Sequence, residues 1–599
     1  MDKPLDIIKP DKAGSLAGLF YERVQSTPNN IAYRYYDNHS SVWVELTWQQ
    51  TATQVARWKQ ALENEGLNKG DRLALMLRNC PFWVIYEQAA MAAGFVVVPL
   101  YTNDRTENAV YIAADAEIKL LLFENDAQWQ TLKPSLQEFK SVKRFISLER
   151  IADQSDNRLV WSDNWLPDTA PHLTRPSIDK DQLASIVYTS GTTGRPKGVM
   201  LSHNNILSNA YASSQCDKFY TTDQFLSFLP LSHMFERTAG YYMPMIAGST
   251  INYARSIEQL AEDLISIKPT VLVTVPRIFE RVYNKIHTQL AAKSPLAQKL
   301  FQAAVDIGWY KFLVTQGRVA WHPKLLLWPV LNMLVARKIM AKLGGNMRLA
   351  ISGGAPLTLE IAKTFIGLGL EISQGYGMTE LSPVVSTNRL ADNQPASVGQ
   401  KLSGVDVKLG ERDELLVKGP NVMLGYWNNE QATREIIDPD GWLHTGDIAK
   451  IENEHIYITG RIKEIIVLAN GEKVPPTDAE MAIATDNLFE QVMVIGEAKP
   501  YLSALTVLNH EQWVKVAQQA GVDPSVAESL NSERASQIIL ERIMEKMRGF
   551  PGYAKIVRVH NTLEPWTIEE GLITPKMSLK RNKLLEKFAT EIEQLYAGH

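Results

Sequence analysis

The chain holds only two cysteines among 599 residues, Cys80 and Cys216, far apart and in no CxxC or zinc-ligand spacing. That excludes a disulfide scaffold and a cysteine metal centre. It fits a reducing compartment in which both thiols pack as small hydrophobes. No basic stretch leading into an apolar run stands at the start, so no secretory signal is expected. Long hydrophobic runs are missing as well. The most apolar stretch, residues 325–340, is interrupted by Pro329, Asn332, Arg337 and Lys338, and falls short of the ~20 apolar residues a spanning helix needs. Neither sign of charge is in large excess: a formal net charge of −4 gives no general pull toward nucleic acid or acidic membranes. No internal repeat or low-complexity tract is found, and GxSxG, HExxH and GxxxxGK[ST] are all absent. A soluble, cytoplasmic protein is expected, touching a membrane only at its surface.

What is present is an ordinary globular balance, 45% apolar and 21% charged, spread over a length that needs several cores. Short apolar runs alternate with helical patterns from about residue 30: a strand at 72–77, a helix at 83–93, a strand at 95–99. Further strands are expected at 184–189, 271–275 and 348–352. This alternation predicts βα units on mostly parallel sheets, an α/β fold. Residues 290–345 differ, being helical and rich in Leu, Trp and Ala. Beyond about 396 the pattern turns to short strands, at 405–409, 414–418 and 455–459. The C-terminal part alternates again, with strands at 492–495, 504–508 and 556–559. The boundary between these parts is placed near 460–463.

The strand ending at Tyr188 runs into Thr189-Ser190-Gly191-Thr192-Thr193-Gly194-Arg195-Pro196-Lys197-Gly198. Glycines let backbone N–H groups approach an anion, hydroxyls donate hydrogen bonds, and Lys197 supplies charge. The loop is a phosphate cradle by its chemistry. Three further strings follow in order: Leu229-Pro230-Leu231-Ser232-His233-Met234-Phe235-Glu236-Arg237, then Ser352-Gly353-Gly354-Ala355-Pro356 with Gln374-Gly375-Tyr376-Gly377-Met378-Thr379-Glu380, then Gly441-Trp442-Leu443-His444-Thr445-Gly446-Asp447.

With these strings, and with YTSGTTGRPKGVMLSH at 188–203, nearly the whole chain resembles the adenylate-forming superfamily, and within it the long-chain acyl-CoA synthetases. The resemblance implies a large N-terminal domain, residues 1–459, made of two βα subdomains and a small β-barrel-like subdomain. It also implies a hinge at 460–463 with Lys463 as pivot, and a small mobile α+β domain at 464–599. By the same resemblance Thr189, Ser190, Gly191, Thr192, Thr193, Gly194 and Lys197 hold the phosphates of ATP. Gly354, Ala355, Pro356, Gln374, Gly375, Tyr376 and Gly377 enclose the adenine, with Tyr376 stacking on it. Asp447 takes the ribose hydroxyls and Arg461 the ribose and phosphate region. Thr379 contacts phosphate, Glu380 and Thr192 hold Mg²⁺, and His233 gates the acyl pocket. A carboxylate is the kind of ligand Mg²⁺ prefers, which agrees.

The family also carries a lysine near its C-terminus that meets the reacting carboxylate and phosphate. Here the string reads Thr574-Pro575-Lys576-Met577-Ser578-Leu579-Lys580, and it departs from the family's usual pattern. Lys580 is assigned the role, with Lys576 as second candidate; an extended segment would put Lys576, Ser578 and Lys580 on one face. Two features point to a fatty acid: VPRIFERV at 275–282, and the helical insertion at 290–345. Trp309, Tyr310, Trp321, Leu325–Leu327 and Trp328 of that insertion are open to three roles: core, tunnel lining or membrane contact. The expected reaction is activation of a long-chain fatty acid by ATP, with coenzyme A as acceptor or, as an alternative, acyl carrier protein. Peripheral contact with the inner membrane face is assigned to residues 305–340.

Overall fold

The computed structural model describes residues 5–597 apart from 39, 154, 190–194 and 575–577. Two large sheets organise the first three quarters of the chain. One has eight strands, with Val96–Pro99, Arg72–Met76, Leu120–Phe123, Arg144–Ser147 and Leu159–Trp161 running parallel. Strand Leu183–Thr189 joins it and turns back antiparallel into Lys197–Ser202. The other sheet has thirteen strands, whose parallel centre is Thr250–Tyr253, Gln224–Ser227, Val271–Thr274, Leu349–Ser352 and Glu371–Gly377. The first four of these strands are short and almost wholly buried, as a parallel sheet under helices requires.

The strands expected to form a small β-barrel-like subdomain continue from the edge of this second sheet. Val384–Thr387, Gln400–Lys401, His455–Arg461, Leu443–Glu452, Glu414–Lys418 and Asp406–Leu409 follow Glu371–Gly377 in antiparallel order. Their side chains enclose a core of their own, with Leu381, Leu402, Leu415, Val417 and Leu443 at its centre. The C-terminal part is separate in its packing: Phe489–Ile495, Leu502–Leu508 and Ile556–Thr562 form a three-stranded sheet between two clusters of buried residues.

Local chemistry sets the key element starts. Helix His203–Ser214 begins with a capping box: Ser202 Oγ accepts from the Asn205 N–H (3.0 Å), and Asn205 Oδ1 accepts from the Ser202 N–H (2.8 Å). The Asn205 amide then donates to the carbonyls of Pro420 and Val422, and Asn209 exchanges two bonds with Val384. One helix thereby braces both sheets. The sheets are also joined by a buried ion pair between Arg237 and Glu87, both fully excluded from solvent. Tyr242 donates to the second Glu87 oxygen (2.8 Å), and Arg237 donates to Ser185 Oγ (2.9 Å), so the pair is hydrogen-bonded as a buried charge must be.

The insertion is helical as expected. Helix Pro295–Thr315 crosses helix Leu359–Gly367 at a point where both carry glycine. A Cβ on Gly308 would stand 1.8 Å from the Gly367 carbonyl oxygen and 2.6 Å from the Trp328 ring. The two backbones touch there, and neither can retreat without unpacking Phe301, Val305 and Leu368. Gly308→Ala should therefore lower stability by about 2 kcal/mol or more through overpacking, read as a drop in the midpoint of thermal unfolding. An unchanged midpoint would show that the crossing is not held by this contact.

Candidate functional site

The parallel strands deliver their C-terminal ends to one place, where ligands gather in open α/β sheets. A cavity of about 690 Å³ opens there. Its walls come from segments far apart in sequence, among them Thr189 and Lys197, His233 and Phe235, Gly353 and Gly354, residues 375–380, residues 444–446 with Arg461 and Lys463, and residues 578–582 of the C-terminal unit.

Strand Glu371–Gly377 alternates, and its alternation decides what faces the cavity. Ser373, Gly375 and Gly377 line it. Gln374 points the other way, where its Oε1 accepts from the Leu357 N–H (3.1 Å) and its amide donates to Ser397 (3.2 Å). The register shifts between Tyr376 and Gly377, so Tyr376 also reaches the wall. Gly377 is obligatory, since a Cβ there would lie 1.9 Å from the Pro383 carbonyl oxygen. Of the residues expected around adenine, Gly354, Gly375, Tyr376 and Gly377 line the cavity. Ala355, Pro356 and Gln374 do not: the first two are solvent-exposed, and Gln374 holds the segment that carries them.

Asp447 lies behind the wall, almost fully buried. The Tyr376 hydroxyl donates to its Oδ2 (2.5 Å), and Arg461 Nε donates to its Oδ1 (2.8 Å). Burial and the neighbouring carboxylate hold the Tyr376 hydroxyl well above its usual pKa, while Asp447 above all raises that of Arg461. Glu380 is buried on the cavity wall, and one of its oxygens accepts from the Tyr426 hydroxyl (2.9 Å). Lys197 stands over the Tyr426 ring at 5.0 Å, within cation–π range. Thr379 is buried beside Glu380. Among the described residues no group of three His, Cys, Asp or Glu side chains could hold a metal ion. A single buried carboxylate, Glu380, would fit a Mg²⁺ that takes its other ligands from substrate phosphates and water.

Lys580 reaches the wall from the C-terminal unit. Its own N–H donates to the Leu572 carbonyl (2.9 Å), and next to it Arg581 forks onto Glu480 at 2.6 and 2.7 Å. Burial, then the Arg105 cation, lowers the Lys580 pKa. The Thr574 N–H donates to the Ser578 carbonyl (2.9 Å), and Ile573 bridges Leu579. Lys576 itself lies outside the described residues, as do Ser190, Gly191, Thr192, Thr193 and Gly194.

His233 and Phe235 begin the apolar arm of the cavity, which continues through Ala239, Met243, Ile351 and Phe219. The His233 Nδ1 accepts from the Phe235 N–H (3.3 Å). Cys216 also lines the cavity, packed as a small hydrophobe against the core of the antiparallel strands, and burial pushes its thiol up to about 11. Two further wall residues carried no signal in sequence. Asp217 is a carboxyl pushed up to about 6 by burial, and it accepts from the Leu390 N–H (3.0 Å). Glu414 meets His444 at 2.9 Å and accepts from the Gly446 N–H (2.9 Å). A string search finds neighbours in sequence, and these two are brought in by the fold.

Residues 20–427 match the family model described as AMP-binding enzyme, and residues 463–599 match that of the AMP-binding enzyme C-terminal domain. The chain is 31% identical to the long-chain-fatty-acid–CoA ligase FadD15 of Mycobacterium bovis, over 97% of each chain. It is 30% identical to the peroxisomal long chain acyl-CoA synthetase 6 of Arabidopsis thaliana, over 92% of this chain and 81% of that one. It is 29% identical to the chloroplastic long-chain-fatty-acid–[acyl-carrier-protein] ligase AEE15 of the same plant, over 92% and 83%. Among solved structures, the anthranilate CoA ligase AuaEII with anthranoyl-AMP superposes with a TM-score of 0.75 at 17% identity, covering 98% of this chain and all of that one. ATP-bound MatB from Rhodopseudomonas palustris gives 0.69 at 21% identity, covering 96% and 99%. At such identities these structures share the fold.

The segment after His233 carries a titration test. Glu236 is fully buried; Ser227 Oγ donates to its Oε1 (2.6 Å), and its Oε2 has no partner. Burial pushes its carboxyl up to about 8, from 4.5. The unfolded chain ionises first, so stability falls as pH rises from about 4.5 and levels off above about 8. Glu236→Gln removes this dependence, whatever the fixed cost of the swap. Between pH 5 and 8 the variant should gain on the parent by on the order of 3 kcal/mol, read from unfolding midpoints at both values. A gap between the two proteins that does not change with pH would contradict the buried neutral acid.

Proposed function

We propose that this chain, which belongs to the AMP-binding enzyme family, activates a long-chain fatty acid with ATP and passes the acyl group to coenzyme A. The observation that carries the proposal is a single cavity with a polar end, an apolar arm and a lysine supplied by a second unit. In this reading the apolar arm takes the acyl chain past His233 and Phe235. ATP occupies the polar end: adenine against Tyr376 and the backbone of Gly354, Gly375 and Gly377, triphosphate against Thr189, Lys197, Thr379 and loop 190–194. Glu380 and Thr192 would hold Mg²⁺, which offsets the charge of the triphosphate when bound.

The acid's carboxylate oxygen attacks the α-phosphorus, and the bond to the pyrophosphate oxygen breaks. Pyrophosphate leaves and acyl-adenylate remains. The nucleophile is already anionic, so no general base is required; the work is orientation and charge stabilisation. Lys580 and Arg461 place cations where that charge develops, and Lys197 does so at the phosphate loop. Asp447 offers its two oxygens to the ribose hydroxyls by exchanging the bonds it makes with Tyr376 and Arg461. In the second half-reaction a thiol attacks the acyl carbonyl and AMP leaves. Lys463 serves as the pivot about which residues 464–599 turn between the two steps, carrying Lys580 away. The likeness to an acyl-carrier-protein ligase favours a second acceptor, the carrier's pantetheine thiol, which would react in the same way.

Among the described residues no helix is long and apolar enough to cross a membrane. The proposed location is the cytoplasm, with peripheral contact at the inner membrane face through residues 305–340.

Two measurements test this. A panel of acids of graded length, with pyrophosphate and thioester both followed, should show turnover with long chains and a preference for coenzyme A over carrier protein. Preference for carrier protein would replace the acceptor. Lys580→Ala should slow adenylation by about 10²–10³-fold, as loss of one charge-stabilising contact does, while sparing thioester formation from supplied acyl-adenylate. Full adenylation by that variant would shift the role to Lys576.

A further inference from the structure

The apolar arm of the cavity has a direction. Ser373, Gly375 and Gly377 are alternate residues on one face of strand Glu371–Gly377, and all three line the cavity. From the level of Gly377 to that of Ser373 the strand descends about 13 Å, at ~3.3 Å per residue. Phe235, Ala239 and Met243 stand four apart on the helical run that leads from the end of strand Gln224–Ser227 back to the start of strand Thr250–Tyr253, so they descend in that order. Ala239 and Met243 pack with Val273 and with Ile351, the strand partner of Ser373. The acyl chain proposed above would run down between these two rows.

The lower end of the arm is polar. Asp217 lines the cavity there, and its Oδ1 accepts from the Leu390 N–H (3.0 Å). Leu390 packs with Phe219, Ala239 and Met243, and two residues before it the Asn388 carbonyl accepts from Ser373 Oγ (2.5 Å). Asp217 therefore sits at the depth of Ser373, not at that of Gly377. Two arginines act on it without pairing: Arg348 is committed to Asp223 (2.5 and 3.0 Å), and Arg389 donates to the Lys401 carbonyl (3.3 Å). Among the described residues Asp217 forms no ion pair, and its Oδ2 receives no hydrogen bond. One turn earlier Ser213 also lines the cavity; it is buried, and its hydroxyl has no partner among the described residues. Burial pushes the Asp217 carboxyl up to about 6, so at neutral pH it is an anion short of donors.

We propose that Asp217 selects the far end of the acyl chain: the arm takes a fatty acid that carries a hydroxyl at or near its last carbon, and that hydroxyl donates to Asp217 Oδ2. The inference rests on the fatty-acid reading of this cavity and narrows it to hydroxylated chains. A hydroxyl satisfies the free carboxylate oxygen, and Ser213 offers its unpaired hydroxyl to the same group. A methyl end strips water from the carboxylate and returns no hydrogen bond, and a carboxylate end meets a like charge. A site built to pair with a hydroxyl discriminates strongly against the analogue that lacks one, because its own polar group is then left unpaired.

The test compares three acids of equal length, ending in methyl, hydroxyl or carboxylate, in a decanoic, a dodecanoic and a hexadecanoic series. Pyrophosphate release by the full chain gives kcat/KM for each. At the length that reaches Asp217 the hydroxyl acid should exceed the methyl acid by about tenfold or more, and the dicarboxylic acid should fall about tenfold or more below the hydroxyl acid. Asp217→Leu should invert the first ratio, favouring the methyl acid. Asp217→Asn keeps an oxygen for the Leu390 N–H and removes the charge, so the dicarboxylic acid should gain about tenfold relative to the methyl acid. A merely structural Asp217 would lower all three acids by one factor and leave their ratios alone, and that result would overturn the inference. So would a parent that uses the methyl acid as well as the hydroxyl acid at every length. Should circular dichroism show Asp217→Leu unfolded, the ratios of Asp217→Asn and the parent decide. AMP from methyl acids without a hydroxyl preference defeats this inference alone, whereas no AMP from any acid defeats the adenylation reading beneath it as well.

Discussion

The cavity depends on one buried carboxylate. Asp447 accepts from the Tyr376 hydroxyl and from Arg461, and so ties strand Glu371–Gly377 to the last residue of strand His455–Arg461. Two residues beyond Arg461 stands Lys463, from which the chain enters the C-terminal unit. Hydrogen bonds to an ionised group contribute ~1.5–3 kcal/mol each, and a buried carboxylate left without them is costly. The cavity wall and the approach to the second unit are thus fixed relative to one another. The same two oxygens are the ones proposed above for the ribose hydroxyls.

A second level of support is the network that holds the wall segments. Asn205 and Asn209, on one capped helix, grip the carbonyls of Pro420, Val422 and Val384. The Met423 N–H donates to the Glu380 carbonyl (2.9 Å), so the Glu380 backbone is positioned from a loop that is remote in sequence. Glu480 does the same for the C-terminal wall by clamping Arg581 beside Lys580. These partners carry no chemistry themselves. They restrict the reacting side chains to one geometry, which lowers the reorganisation needed at the moment of reaction.

The sheets were legible in sequence, because alternating short apolar runs constrain backbone and burial together. What a string does not encode is direction. Gln374 sits inside a recognisable motif yet belongs to the other face of its strand, and Ala355 and Pro356 are carried past the cavity. Conversely, Asp217 and Glu414 fall in no recognisable string and meet the site only because the fold brings them there. The insertion shows the same limit. Its composition allowed core, tunnel or membrane contact, and burial divides the residues: Trp309, Tyr310, Leu325 and Trp328 are half-buried, Trp321, Leu326 and Leu327 are exposed, and none lines the cavity.

The central claim is that the acid's own oxygen becomes bonded to the α-phosphorus. Supplying purified protein with Mg²⁺, ATP, coenzyme A and a fatty acid labelled with ¹⁸O in both carboxylate oxygens tests this directly by mass spectrometry of the nucleotide product. The account predicts AMP carrying one ¹⁸O, with the acyl thioester keeping the other. ADP as product, or AMP free of label, would contradict it.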